Sequence, residues 1–267
     1  MSLPRSVTLA AWMRCWRAGH VSYDDLLDEV RALDAEHLFA ASATEDTEPV
    51  DLRAGLASFS RVEPDDIWLV LPSPGDPRGL PGPGPFTDAA LLAGEGVLCA
   101  TVGVVPQVDT ATSGSGDVWH TVTWRRLALA RPADPLAVLA TVDPLTRARG
   151  GAPTVPEADH DLVLALQDAT DALRRLDVAR WRPELATALG SLRRPADAAA
   201  LPPGYDERCD RLLSRAATVS RIVALAGTDA PGAAVSAYEA SERDAALRPL
   251  ATAARRAQTA AINAPLQ

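Results

Sequence analysis

Residues 67–92 read IWLVLPSPGDPRGLPGPGPFTDAALL. Ile67 to Leu71 is a continuous apolar run between Pro64-Asp65-Asp66 and Pro72. A run of that length with those flanks predicts a strand buried on both faces. Six prolines (72, 74, 77, 81, 83, 85) and four glycines (75, 79, 82, 84) follow. Proline narrows the unfolded ensemble, and glycine admits positive φ and close backbone approach, so the mixture predicts a rigid, shaped loop. Thr87 then suits an N-cap, with Phe86 and Leu91 placed as a hydrophobic staple and Gly94 and Gly96 as the stop. Strand, rigid loop and helix in that order define an α+β layout around this stretch.

Upstream, VTLAAWMRCWRA (7–18) predicts a helix ended by Gly19, with Trp12 and Trp16 buried four residues apart. Ser22 caps a second helix whose first turn carries Asp24 and Asp25 and whose stripe is Leu26, Leu27, Val30 and Leu33. Val50 to Ser60 admits either a short helix or a strand. Downstream, Val97–Val108 and Val118–Ala130 read as two strands of a hairpin turned by DTATSGSGD (109–117). Asp134-Pro135 and Asp143-Pro144 each set an N-cap before proline at the first helical position. Gly150-Gly151-Ala152-Pro153 reads as a linker. Beyond it, Leu162, Leu166, Ala169, Leu173 and Leu176 follow a 4-3-4-3 seam. Pro183 starts another helix, and Pro195 to Pro203 breaks the pattern. Cys209, Leu212, Ala216, Val219, Val223 and Ala226 make a similar seam. A last helix from near Gly232 carries Val235, Tyr238, Leu247, Leu250 and Ala254, with Pro249 inside it.

The expected fold is therefore α+β. A small, largely antiparallel sheet with flanking helices (1–150) precedes an all-helical bundle (151–267) packed on it.

All 26 basic residues are arginine. Without lysine there is no Walker-type phosphate loop, no Schiff base and no protein-kinase ATP lysine. Net charge is −9 and unevenly spread. Residues 1–117 hold seven Arg against 18 acids, residues 118–195 hold 11 against nine, and residues 196–267 hold eight of each. The acidic first part argues against nucleic acid as a partner. It reads as a solvated face or as a surface for a basic partner. Three scattered cysteines (15, 99, 209) suit a reducing compartment. Arg14 and Arg17 break the one apolar run near the N-terminus, so no signal peptide is expected, and no run suits a bilayer span. The cytoplasm is the expected location, with no membrane partner.

Gly75, Asp76, Arg78 and Gly79 are the candidate ligand-binding residues. The loop lies after a strand and before a helix N-terminus, where α/β proteins often bind anions. Arg78 suits a bidentate grip on a carboxylate or phosphate, with Asp76 as orienter or base. Alternatively the two pair with each other and the loop only covers the sheet edge. The glycines weaken a polyproline II reading.

Other signatures are weaker. Gly82-Pro-Gly84 and Gly94-Glu-Gly96 lack a third glycine. Ser113-Gly-Ser115 lacks a nucleophile elbow's first glycine. The histidines (20, 37, 120, 160) do not cluster, and Glu157, Asp159 and Asp161 suit helix capping better than zinc. Hairpin register separates Cys99 from His120, leaving Cys99 a buried small hydrophobe. Trp181 with Arg174-Arg175 and Arg193-Arg194 reads as surface salt bridging. No metal or cofactor is expected, and the sequence assigns no catalytic residue. The partner is another protein, or a second copy of the chain through its Ala-rich helices, acting without catalysis; the alternative is a binder or an enzyme for a small anionic metabolite, with its site at the Pro/Gly loop 72–85.

LPSPGDPRGLPGPGPF (71–86), LDVARWRPEL (176–185) and ALRPLATAARRAQTAA (246–261) together resemble an uncharacterised family of hypothetical proteins from high-GC Gram-positive bacteria. The resemblance implies no activity, cofactor or site residue.

Overall fold

The computed structural model describes residues 3–34, 36–40, 48–114, 116–129, 143–175, 201–227 and 237–267. The expected helices at Asp134-Pro135 and Pro183, the break up to residue 200, the start of the last helix, Leu176, Trp181 and Arg193-Arg194 lie outside them. The chain divides into two compact units. One comprises Ser2–Ala152, Leu201–Tyr205 and Pro265–Gln267; the other comprises Pro153–Ala200 and Asp206–Ala264.

The first unit is built on a six-stranded sheet. Its strands are β1 (Glu36–Ala40), β2 (Val50–Asp51), β3 (Ile67–Val70), β4 (Gly96–Cys99), β5 (Val102–Thr112) and β6 (Val118–Ala128), in the order β2-β1-β6-β5-β4-β3. The sheet is mixed, because β1 runs parallel to β6 while the other pairings are antiparallel. It is also larger than the sequence suggests. The segment read as one strand over Val97–Val108 is two, β4 and β5, joined through Ala100 at φ 54°. The region left open at Val50–Ser60 holds β2 and a short helix, α3 (Leu52–Ala57).

The two sheet faces follow from the register, since alternate side chains point to opposite sides. Trp68, Val70, Leu98, Val105 and Leu127 share one face with Leu80, Phe86 and Ala90. Helix α4 (Pro85–Ala93) supplies Phe86 and Ala90 to that core, and α5 (Pro144–Arg149) adds Leu145 and Ala148. Ile67, Leu69, Val97, Val104, Val122 and Trp124 fill the opposite face and are fully buried. Against β3, β4 and β5 packs α1 (Arg5–Ala18), which Gly19 ends in the left-handed conformation at φ 82°. Trp12 and Trp16 are half-buried, not buried as expected. The inward face of α1 is Val7, Leu9, Ala10, Met13 and Cys15, and Trp16 instead packs at a tilt of 37° against Tyr23, ring centroids 4.8 Å apart. Arg14 is buried with them and donates to the Pro64 carbonyl at 3.3 Å.

Caps carry much of the local specification. Ser22 and Asp25 close a reciprocal capping box on α2 (Tyr23–Arg31), whose Leu26, Leu27 and Val30 are buried. Asp143 caps α5 by accepting from the Thr146 amide at 2.9 Å. Thr87 is not the cap of α4. The helix begins at Pro85 after Gly84, so the staple spacing is lost; Phe86 goes into the core and Thr87 bonds back to the Gly82 carbonyl. Pro85 wins this position because its fixed φ favours the first helical turn.

In the second unit, α6 (Val155–Arg175), α7 (Glu207–Gly227) and α8 (Ala237–Asn263) pack together. Glu157 and Thr154 bond reciprocally at the start of α6, so the acid there is a capping residue. Leu162 and Ala169 are buried, but Leu166 is 39% exposed, so the expected seam of α6 is interrupted. Cys209, Leu212, Ala216 and Val219 face inward from α7. Ala253, Ala254, Ala257, Ala260 and Ala261 line α8, and Gln258 donates to Ser220 Oγ at 3.0 Å across to α7. Small side chains let helices with few aromatics approach closely. Among the described residues, no helix is long and apolar enough to cross a membrane.

Phe86 lies so close over β5 that a Cβ at Gly103 would sit 1.9 Å from its ring. Gly103→Ala should therefore cost about 1–3 kcal/mol of stability, as overpacking does. Urea denaturation of Gly103→Ala and of Gly103→Ala/Phe86→Leu checks this: the second change should recover part of the loss, and equal midpoints for wild type and Gly103→Ala would refute it.

Candidate functional site

The loop after β3 folds as two successive tight turns. Ser73 and Asp76 exchange backbone hydrogen bonds of 3.3 and 2.9 Å, and the Leu80 amide donates to the Pro77 carbonyl at 3.3 Å. Each turn has glycine at its third position, Gly75 at φ 84° and Gly79 at φ 83°, where a side chain would be strained. Proline at the second position of the first turn pre-sets it. Between the two glycines Arg78 Nε donates to Asp76 Oδ1 at 2.8 Å. Asp76 is held in, with 17% of its side chain exposed, whereas Arg78 is 64% exposed. All four predicted residues are thus adjacent on one short outward segment. The rest of the loop is anchored: Leu80 enters the core, and Arg147 of α5 donates to the Pro81 carbonyl at 3.4 Å. An Arg oriented through Nε keeps its terminal nitrogens for another acceptor.

A second polar constellation has no counterpart in the sequence reading. Arg5 grips Asp34 through Nε and Nη2, both at 2.6 Å. Asp34 is buried, and its Oδ2 lies 3.9 Å from Nε2 of His37, which is also buried. On the other side of the ring, the Trp124 indole donates to His37 Nδ1 at 3.1 Å. An indole nitrogen can only donate, so Nδ1 accepts and the imidazole proton belongs on Nε2, facing Asp34. Glu95 closes the cluster by accepting from the Ser6 amide at 2.6 Å, at the start of α1.

Burial pushes His37 below its ordinary value of 6.5, although Asp34 pulls the other way. Burial likewise pushes Glu95 above 4.5, against its Ser6 hydrogen bonds and the charge of Arg5. An acid raised and a base lowered in one cluster is the pattern seen at proton-transfer sites and in buried structural networks alike. Sequence offered little signal here: Arg5, Asp34, His37, Glu95 and Trp124 are dispersed and form no motif. The one local hint is Asp34-x-x-His37 between a helix end and a strand.

Cys99 and His120 do not meet. Cys99 is buried opposite Ile67 and Val102, and burial pushes its thiol up to about 12. His120 sits opposite Thr110, 3.1 Å from its hydroxyl. Among the described residues, no three His, Cys, Asp or Glu side chains gather as metal ligands would.

A mixed α+β sheet unit with a two-turn Pro/Gly loop and a part-buried Arg-Asp-His-Glu cluster, together with a helical unit, defines the class of this protein. The Rv1486c-like protein family supplies the match: its N-terminal domain model covers residues 6–138 and its C-terminal domain model covers residues 156–259. The chain is also 30% identical over 295 residues to the uncharacterised protein Rv1486c of Mycobacterium tuberculosis strain H37Rv, covering 98% of this chain and 96% of that one. The uncharacterised protein MT1533 of strain CDC 1551 matches to the same extent. The chain belongs to the Rv1486c-like family. No solved structure matches it.

The two shifted groups give opposite pH signatures. A histidine with a lowered folded value stabilises the fold above 6.5, and that contribution is lost as pH falls through the folded value. A glutamate with a raised folded value contributes fully below 4.5, and that contribution is lost as pH rises through the folded value. Melting temperatures across pH should show His37→Gln gaining on wild type toward acid, and Glu95→Gln gaining toward alkali. Curves parallel to wild type for both variants would refute the assignment.

Proposed function

We propose that this is a non-enzymatic binding protein of the cytoplasm that holds another polypeptide on the distal part of the β5–β6 hairpin. The observation that supports this reading is exposed apolar surface on a regular strand pair. Residues 107–112 of β5 are all exposed, and Val108, Val118 and Trp119 keep 38%, 58% and 43% of their surface in solvent. Single exposed apolar residues are ordinary, but here both faces of one short arm expose them, Val108 and Val118 on one face and Trp119, opposite Ala111, on the other. Asp109 and Asp117 flank them, as polar rims do. The three cysteines are buried and form no disulfide, which is consistent with a reducing compartment.

A second reading keeps the loop as a site. Asp76 orients Arg78 without covering it, which favours a small anion such as a phosphate or carboxylate gripped by the free side of the guanidinium.

Trp119→Ser/Val118→Ser should leave the circular dichroism spectrum unchanged and abolish any association of the chain, read by crosslinking in native lysate and by light scattering over a concentration series. If wild type and variant give the same crosslinked species and the same mass, the arm is not the binding surface. For the loop, Arg78→Ala should alter unliganded stability by no more than about 1 kcal/mol, as for other exposed ion pairs. It should also remove a melting shift that phosphate or citrate induces in wild type. A wild type that shifts with neither anion, or an Arg78→Ala protein destabilised well beyond that, makes the loop structural.

A further inference from the structure

We propose that the polypeptide held by this arm is a second copy of the same chain, added edge to edge along β5 about a two-fold axis at Thr110; the inference rests on the binding reading above. Strand β4 pairs with β5 only over Val102–Val104. From Val105 to Thr112, no strand among the described residues lies on that side of β5.

Parity fixes which groups face the open edge. The Ser113 amide donates to the Asp117 carbonyl at 2.8 Å, so the odd-numbered residues of β5 point their backbone groups at β6. Val108, Thr110 and Thr112 therefore turn N–H and C=O outward. Pro106 has the same parity, and its missing N–H costs the β5–β6 ladder nothing. An open strand edge of this kind is a template for another strand.

The edge is self-complementary in one register. With Thr110 facing Thr110 of the second copy, Val108 faces Thr112 in both directions, and every outward N–H and C=O of these residues is used. Asp109 then faces Ala111. Centring the axis on Asp109 would oppose two carboxylates and aim Thr112 at Pro106, which has no donor. Centring it on Ala111 would set Val108 against Gly114, past the strand end. Like charges directly opposite are unfavourable, and isologous pairing is the commonest way that copies associate. Pro106 at one end and the hairpin turn at the other limit the pairing to Val108–Thr112, a short contact that suits a reversible dimer.

Sedimentation velocity on the full chain over a concentration series tests this. Wild type should show a monomer–dimer equilibrium. Thr110→Pro removes the outward N–H, together with the hydroxyl that lies 3.1 Å from His120, leaves the β5–β6 backbone ladder its donors, and should weaken the dimer about tenfold. Ala111→Asp places acid opposite acid and should also weaken it, whereas Ala111→Asp/Asp109→Arg should restore it. That charge reversal keeps the test decisive if the proline variant misfolds. A dimer that ignores Thr110→Pro and Ala111→Asp but is lost in Trp119→Ser/Val118→Ser overturns the edge pairing and leaves the arm as a binding surface. A monomer that still crosslinks a polypeptide through the arm does the same. A monomer with no arm-dependent crosslink overturns both.

Discussion

The register of β5 against β6 is the constraint on which the sheet unit depends. It sets Val104 opposite Arg126, and Pro106 opposite Trp124. That choice sends Val104, Val122 and Trp124 to one face and Val105 and Leu127 to the other. A slip of one residue would exchange the two faces. Phe86 would then lose the gap at Gly103 that admits its ring, and Trp124 would lose His37. Two short devices hold the register: the Ser113–Asp117 turn, and the close fit of Phe86 over glycine.

The polar cluster extends this logic to β1. A parallel strand cannot be positioned by a tight hairpin turn, because its neighbour in the sheet lies far away in sequence. Here β1 is tied to β6 by the Trp124–His37 hydrogen bond and tied to α1 by the Arg5–Asp34 pair next to it. A buried polar group without its partner costs more than a made bond returns, so such contacts exclude wrong pairings more than they stabilise the right one. The same logic accounts for Glu95 at the start of α1. Its burial is unfavourable, but the Ser6 amide there needs an acceptor.

What could be read from sequence was local. Gly19, the Ser22 cap, Asp143-Pro144 and the strand begun at Ile67 each follow from a few adjacent residues. Errors came where tertiary contact decided. Ala100 and Thr101 carry no turn signal, yet Ala100 takes a left-handed conformation and splits one expected strand in two. Trp12 and Trp16 look like core by size, but small residues of α1 sit closest to the sheet. Strand β1, EHLFA, is too short and mixed to announce itself, and without it the parallel pairing is invisible. Of the loop, the four named residues could be read as one segment, because turn chemistry is local. The Arg5, Asp34, His37 and Glu95 cluster could not, since no spacing rule joins residues brought together by a sheet.

The composition bears on the open edge in a way that counting charges alone does not reveal. Soluble sheets protect exposed edges with charged side chains, lysine above all, with proline, or with bulges. This chain has no lysine, and residues 107–112, QVDTAT, hold no basic residue. Pro106 protects one outward position, and beyond it the outward-facing sequence is Val108, Thr110 and Thr112, all β-branched and well suited to pairing. The single charge in the stretch, Asp109, stands out of phase with the outward backbone groups, so it sorts among registers and leaves the edge available. A strand that only had to remain unpaired could carry its charge anywhere along the edge; in the edge pairing proposed above, the one charge of this stretch stands where it discriminates between alignments.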